Sequence, residues 1–422
     1  MPDPGTSHTS PTLLLVGGAR GASLGVDMVV RALAQARARG LRTHVTSRAD
    51  ALAAAPEAVE AADAVSVVDH GAPGETAAWA VRETAQGARF DVVLALQEMA
   101  QVAAAETAEA LGLFGNPAAA VRRIRTKDAC RRALAEAGFA QPKVRLCEDA
   151  AAAREFLARS RGPWIVKPRD AMGSLGVSLV TGPAKLPAAM ELLPDNRPFL
   201  VEEFVDGPEF SVEGMFLGGA PKVLAITAKE KVPPPYFVEV GHVLPAGLPE
   251  RVRAEVERQV RGALRALDLR AGAFHVECWL TADGVVIGEV HGRCGGDWIH
   301  RMLEYVVPGL DLFGVLCDDL LRRGRGAGAP ATLEPVRAAA VRYLVPPPGR
   351  VVSIDGWERV RAQPDVLHAE LTVAEGDVIR PVQRSGDRAG FVLVGAPNAS
   401  RARERARELA DAVRFTTLPE PP

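Results

Sequence analysis

From Phe274 to His291 the chain reads Phe-His-Val-Glu-Cys-Trp-Leu, then Thr-Ala-Asp-Gly, then Val-Val-Ile-Gly-Glu-Val-His. Apolar and polar side chains alternate on both flanks of Asp283-Gly284, the pattern of two strands joined by a tight turn. This hairpin limits the fold more sharply than any other segment, because each strand carries one glutamate, Glu277 and Glu289. A three-residue loop centred on Asp283 sets Glu277 across from Glu289, Trp279 across from Ile287 and His275 across from His291, all on one face. Like charges opposed across a ladder are destabilising unless something neutralises them. A divalent cation is the natural neutraliser, and two carboxylates beside phosphate suit Mg²⁺. A two-residue turn would slip the register by one and put the glutamates on opposite faces. Both turns are open to this sequence; the three-residue loop is the expectation.

A chain of 422 residues is too long for one ordinary core, so two or three domains are expected. With 48% apolar and 24% charged residues the balance is that of a globular protein. A net charge of −2, with no basic stripe, argues against nucleic acid as a partner. No run of about 18 apolar residues exists, so no membrane span is expected. Five cysteines without paired spacing fit a reducing, cytoplasmic setting and no disulfide frame or zinc site. Met1 to Thr12 is polar and rich in Pro, Ser and Thr, and reads as a disordered leader.

Leu13-Leu-Leu-Val16 is a buried-strand run, followed by Gly17-Gly-Ala-Arg-Gly21 and a helical pattern to Arg39. Further strands at 42–45, 65–68 and 91–96, with helices between them, make residues 13–115 a small doubly wound α/β domain. Gly17 to Gly21 is not a full G-x-G-x-x-G, so a tight strand-to-helix turn suffices there. Asn116-Pro117 opens a helical connector running through Lys127 to Ala137. From Trp164 the pattern changes to short strands at 164–167, 177–180, 199–205, 209–217 and 222–227, with helices near 150–161 and 184–193. A Pro-rich loop at 231–236, a helix from Pro249 to Leu267, the hairpin and a helix at 309–323 follow. Gly324 to Pro330 reads as a linker. Residues 331–422 form a smaller α+β subdomain ending in a helix from Ser400 to Arg414.

Trp164-Ile-Val-Lys167-Pro168 leads into Arg169-Asp-Ala-Met172-Gly173-Ser174-Leu-Gly176 and then another strand. A Gly/Ser loop between antiparallel strands can fold over phosphates with its backbone N–H groups. It is no Walker loop, lacking Gly-Lys-Ser/Thr and a following helix. Taken alone, an ordinary flexible hairpin explains it as well. In Phe199-Leu-Val-Glu202-Glu203-Phe-Val205 the exposed backbone at the strand end can bond a flat heterocycle, and a carboxylate past the turn can accept from ribose hydroxyls. Glu213 receives no role. Downstream, Arg293 can grip a carboxylate or a developing acyl phosphate bidentately. Glu239 and His242 can bind a cationic amino group or simply cap a turn.

Lys127, Lys167-Pro168, the loop 170–176, Glu-Glu-Phe-Val at 202–205, Gly-Pro-Glu at 207–209, Glu277 and Glu289 together resemble the ATP-grasp superfamily. The resemblance covers about residues 115–325. It implies an ATP-grasp domain at 116–325 with a lid about 145–205, set between the N-terminal α/β domain and the C-terminal α+β subdomain. It implies that Lys127 and Lys167 contact ATP phosphates under the loop carrying Met172, Gly173 and Ser174. It further implies that Glu203 and Val205 hold adenine through their backbone with Glu202 also at the ATP site, that Glu209 binds ribose, and that Glu277 and Glu289 carry Mg²⁺. Most members have Asn where His291 stands; imidazole is a poorer Mg²⁺ ligand, which argues either against a second metal ion or for Mn²⁺ tolerance. Glu239-Val-Gly-His242, His275-Val-Glu277 and Glu289-Val-His-Gly-Arg-Cys-Gly-Gly-Asp297 resemble one branch, the bacterial L-amino acid ligases. That branch implies small-molecule partners: Glu239, His242 and Arg293 line an amino-acid pocket, and Trp298 packs nearby.

The chemistry implied is carboxylate activation as an acyl phosphate with release of ADP, then attack by an amine, with Arg293 and Lys167 offsetting charge. A rival is an ATP-grasp ligase for a nucleotide precursor or a D-amino acid; another is a non-catalytic ATP-binding regulator. The oligomeric state stays open, a homodimer among the options.

Overall fold

The computed structural model describes residues 10–195, 197–322, 324 and 328–419. Most of the expected leader, and Arg325, Gly326 and Ala327 of the expected linker, lie outside the described residues.

Leu13, Leu14, Leu15 and Val16 are fully buried, as the central strand of a parallel sheet covered on both faces must be. Strand Thr12–Val16 pairs in parallel with Arg42–Ser47 and Val92–Leu94, and Arg42–Ser47 pairs with Ala64–Val67. The resulting order, third-second-first-fourth, is half of a doubly wound sheet. Helix Ser23–Ala38 buries Met28, Val29, Ala32, Leu33 and Ala36, one stripe at helical spacing. The connector is two helices, Ala118–Arg125 and Lys127–Glu136, not one. Thr126 is extended (φ −109°, ψ 101°) and its hydroxyl bonds back to Arg122 O, so the chain turns and Lys127 starts a new helix.

Two antiparallel sheets face each other across a cleft. The smaller orders Val144–Cys147, Phe199–Glu203, Trp164–Pro168 and Ser178–Val180 over its own core of Phe156, Leu157, Trp164 and Val166. The larger has eight strands, in the order Gly284–His291, Ala273–Thr281, Glu209–Leu217, Ala220–Lys231, Glu239–Leu244, Ala338–Tyr343, Gly390–Ala396 and Val366–Leu371. Its last three strands come from residues 331–422, which thus continue the central sheet and also supply a separate three-stranded sheet. Helix Glu250–Ala266 buries Val256, Val260, Ala263 and Leu264. The helix expected at 309–323 spans Leu312–Leu320, and a further helix, Ile299–Val306, precedes it. No helix among the described residues is long and apolar enough to cross a membrane.

The hairpin departs from expectation in its turn. Thr281 pairs with Gly284, Trp279 with Val286 and Cys278 with Ile287, so the turn has two residues and Trp279 does not face Ile287. That register alone would set Gly288 opposite Glu277 and turn Glu289 away. Instead the ladder shifts, and Val276 pairs with Val290 and His275 with His291. Gly288 and Glu289 together oppose Glu277, which is a β-bulge. The bulge undoes the slip and returns both glutamates to one face. Position 288 must be glycine, because a Cβ there would lie 2.8 Å from the Trp279 ring and 2.9 Å from the Glu277 carbonyl oxygen. Gly288→Ala is expected to cost about 1–3 kcal/mol in denaturant unfolding. A loss under about 0.5 kcal/mol, typical of surface changes, would contradict this account of the bulge.

Candidate active site

Of the fifteen residues singled out in the sequence, all but His242 line one cleft of about 180 Å³ between the two sheets. Glu277 Oε1 accepts from Lys229 Nζ at 2.7 Å and lies 3.5 Å from His275 Nε2. Glu289 lies 3.2 Å from Lys127 Nζ and 3.6 Å from Lys167 Nζ. Burial pushes the Glu277 carboxyl up, but Lys229, His275 and His291 outweigh it and hold it well below the usual range. For Glu289 burial likewise raises, and Lys127 and Lys167 overcome both that and the repulsion of Glu277. Both groups are therefore ionised oxygen donors on one face, a set that fits a hard divalent cation. His291 Nδ1 lies 3.0 Å from a Glu98 carboxylate oxygen. This bond assigns the proton to Nδ1. Nε2, 3.8 Å from Glu289, is then the ring nitrogen turned to the carboxylate pair, in the carboxylate–imidazole arrangement of many metal-binding histidines. A nitrogen donor suits Mn²⁺ better than Mg²⁺.

Sequence reasoning missed Lys229 as a site residue. Its ammonium is 2.7 Å from Glu209, 3.4 Å from Glu239 and 2.7 Å from Glu277. Burial works against the charge, but the three carboxylates hold Lys229 protonated well above its ordinary range. Those three carboxylates come within 4.8 Å of one another around it. Glu209 also accepts from Lys231 at 2.5 Å. Lys229 and Lys231 alternate on one face of strand Ala220–Lys231, and that alternation was the available signal.

Glu202 is buried and fully engaged, accepting from Arg131 at 2.9 and 3.1 Å and from Lys167 at 3.0 Å. Burial raises its pKa, yet Arg131 and Lys167 bring it down to about 2. The Glu203 carboxylate accepts from the Arg161 N–H at 2.8 Å. What this segment offers a ligand is therefore backbone, and among the described residues the Val205 N–H has no partner. In the loop above, Lys127 Nζ donates to Ala171 O at 2.7 Å. Met172 is partly exposed at its tip. Gly173 (φ +67°), Ser174 (φ +57°) and Gly176 (φ +69°) take left-handed conformations, the kind from which backbone N–H groups form an anion-binding nest.

Arg293 donates from Nε to Glu98 and from Nη1 to Cys294 O. Glu98 also accepts from Arg125 at 2.7 Å. Burial would raise Glu98, but His291, Arg293 and Arg125 keep it well below the carboxylate range. Glu98 sits just past strand Val92–Leu94, at the carboxyl end of the parallel sheet, where ligands of open α/β sheets gather; that rule could have found it. The loop after Thr12–Val16 ends at the same edge, pinned by a bond from Gln97 Nε2 to Gly17 O. It carries Arg20, whose pKa is lowered by surrounding protein and then by Arg293. Among the described residues Arg20 makes no hydrogen bond or ion pair.

His242 lies behind the cleft. Its Nε2 is 2.8 Å from Asp297, which also takes two bonds from Arg388 at 2.9 and 2.8 Å. Burial raises Asp297, and Arg388 and His242 hold it far below its usual range. Asp297 and Trp298 are both left-handed (φ +50° and +66°). Trp298 is buried against His368 and Phe391, a packing role.

A four-stranded lid over a central sheet bearing paired carboxylates, preceded by a parallel α/β domain, is the ATP-grasp architecture. The chain carries an ATP-grasp domain: residues 160–301 match that domain, and residues 342–417 match the L-amino acid ligase C-terminal domain 2. An uncharacterized protein of Sinorhizobium fredii is 29% identical over 304 residues, 69% of this chain and 61% of its own. Alanine–anticapsin ligase of Bacillus subtilis is 26% identical over 292 residues, 62% and 60% of the two chains. The chain thus spans about three-fifths of the length of these relatives. In fold it is similar to an L-amino acid ligase from Bacillus licheniformis, with TM-score 0.79 and 24% identity over 97% of this chain and 99% of that one.

Proposed function

We propose that the protein is an ADP-forming carboxylate–amine ligase that joins two amino acids in the cytoplasm. The observation that carries this reading is the bulge at Gly288–Glu289. It sets Glu277 and Glu289 on one face of a cleft that also holds Lys127 and Lys167 under a loop of left-handed residues.

ATP is assigned to the space between the sheets, its adenine on the backbone of Glu203 and Val205, its ribose by Glu209, its phosphates by Lys127, Lys167 and the loop 172–174. Mg²⁺ or Mn²⁺, held by Glu277 and Glu289 with His291 as a third donor, would neutralise phosphate charge there. A carboxylate is a poor acyl donor because oxide cannot leave. Its oxygen attacks the γ-phosphorus, the bond to ADP breaks, and an acyl phosphate results. Lys127, Lys167 and Arg293 offset charge on the transferring phosphoryl oxygens. The amine nitrogen then attacks the acyl carbon, the carbon–oxygen bond to phosphate breaks, and the nitrogen loses a proton. Arg293, oriented by Glu98, faces the developing oxyanion. Of the three carboxylates around Lys229, Glu239 makes the longest contact, 3.4 Å, while Glu209 also has Lys231 and Glu277 has His275; Glu239 is therefore the carboxylate we assign to a substrate amino group.

A second amino acid brings a carboxylate of its own, and the unpaired Arg20 beside Arg293 is the group we assign to it. Arg20→Gln is expected to raise KM for the amine amino acid at least about tenfold, the worth of a charged hydrogen bond. KM for its carboxamide analogue should stay put; an equal rise for both would remove Arg20 from that role. The reaction class is tested by phosphate release across a panel of amino-acid pairs. Turnover with one or more pairs is expected, while silence with all pairs and turnover with another acid would favour the rival ligases.

A further inference from the structure

The segment 383–388, within the C-terminal portion, touches three loops of the cleft at once. Ser385 N–H donates to Gly173 O at 3.2 Å, at the tip of the loop over the cleft. Gln383 donates to the Tyr236 hydroxyl at 3.0 Å, on the Pro-rich loop. Arg388 binds both oxygens of Asp297, four residues past Arg293, donates to Glu239 O at 3.0 Å and lies 3.5 Å from the Tyr343 ring centre. The segment is stiff. Asp387 accepts from the N–H groups of Gln383 and Arg384 at 3.0 and 2.9 Å, and Arg388 Nε donates to Ser385 O at 2.7 Å.

In a trans peptide the carbonyl and the following N–H point in opposite directions. Gly173–Ser174 is trans, and its carbonyl is taken by Ser385 on the outer side of the loop. Ser174 N–H therefore faces the other way, toward the cleft that Gly173 and Ser174 line, and among the described residues it has no partner. Ser174 is also a non-glycine residue at φ +57°, a conformation that persists only where neighbours over-determine it. Its own hydroxyl reaches Phe237 O at 3.3 Å and its carbonyl accepts from the Val177 N–H at 3.3 Å; the hold on the Gly173–Ser174 peptide itself is Ser385.

Resting on the ligase reading, we infer that Ser385 is a positioning residue. Its backbone N–H aims the Ser174 N–H at the nucleotide phosphates, and Arg388 ties that arrangement to the turn beyond Arg293. The C-terminal portion thereby completes the ATP site without contacting ATP.

Ser385→Pro tests this with one donor removed. Position 385 begins a short 3₁₀ turn, where proline is tolerated, and Arg384 before it is already extended (φ −148°, ψ 163°), as a residue preceding proline must be. Titration of the full chain with ATP and Mg²⁺ should show Kd raised about three- to tenfold in Ser385→Pro, the worth of one hydrogen bond. Ser385→Ala, which keeps the N–H, should restore it, and the melting midpoint without nucleotide should match wild type. Equal Kd in wild type and Ser385→Pro overturns the inference, whereas a wild-type protein that binds no ATP overturns the ligase reading instead. Should Ser385→Pro not fold, hydrogen exchange on wild type decides. ATP with Mg²⁺ should slow the Ser385 amide together with loop 170–176, and slowing of the loop alone overturns the proposal.

Discussion

Replacing Glu289 by alanine is expected to lower ADP formation more than about 100-fold, since outer-shell partners of a metal alone are worth 10–100-fold. The residue is the only one of the carboxylate pair that the bulge delivers to this face, and it faces both Lys127 and Lys167. Its removal takes the carboxylate from the ammonium of Lys127, leaves the ammonium of Lys167 with Glu202, and leaves Glu277 as a single carboxylate beside Lys229 and His275. Those ammonium groups still attract phosphates, so nucleotide binding should outlast turnover. Glu289→Gln keeps the size and loses the charge, and should be nearly as impaired. Steady-state ADP release, with unfolding midpoints alongside, checks this; turnover within about tenfold of wild type would take Glu289 out of the site.

Arg293→Ala should cost about 10²–10³ in kcat, the range for losing one donor to a developing oxyanion, while ATP affinity changes little. Glu98 keeps His291 and Arg125 as partners in that variant, so no buried carboxylate is left bare and the fold should survive. Arg293→Lys should recover little. The guanidinium bonds Glu98 and Cys294 O from two different nitrogens, a fork that an ammonium on a flexible stem does not reproduce. Kinetics against both substrates and an ATP titration separate the effects. A loss of ATP affinity as large as the loss of rate would move Arg293 to the nucleotide side of the cleft.

The order of motifs was legible because each rests on local chemistry: a buried run at Leu13–Val16, a Gly/Ser loop after Lys167, carboxylates in alternating strands. The turn of the hairpin was not. Asp-Gly fits two- and three-residue loops alike, and the bulge that reconciles a two-residue turn with paired glutamates depends on Trp279 packing over Gly288. Glu98, Arg20 and Arg388 escaped for a related reason. Each comes from a portion of chain distant in sequence from Arg293 and the turn beyond it, and only the docking of the parallel sheet and the strands of 331–422 against the central sheet brings them near. Lys229 escaped because its three partners, Glu209, Glu239 and Glu277, lie on three different strands.

The account stands or falls on whether the acid is activated through its own oxygen. An amino acid labelled with ¹⁸O in its carboxylate, incubated with the enzyme, ATP, Mg²⁺ and a second amino acid, reads this directly. Acyl phosphate chemistry predicts ADP together with inorganic phosphate carrying one labelled oxygen per amide formed. AMP with pyrophosphate, or amide formed beside unlabelled phosphate, would contradict it.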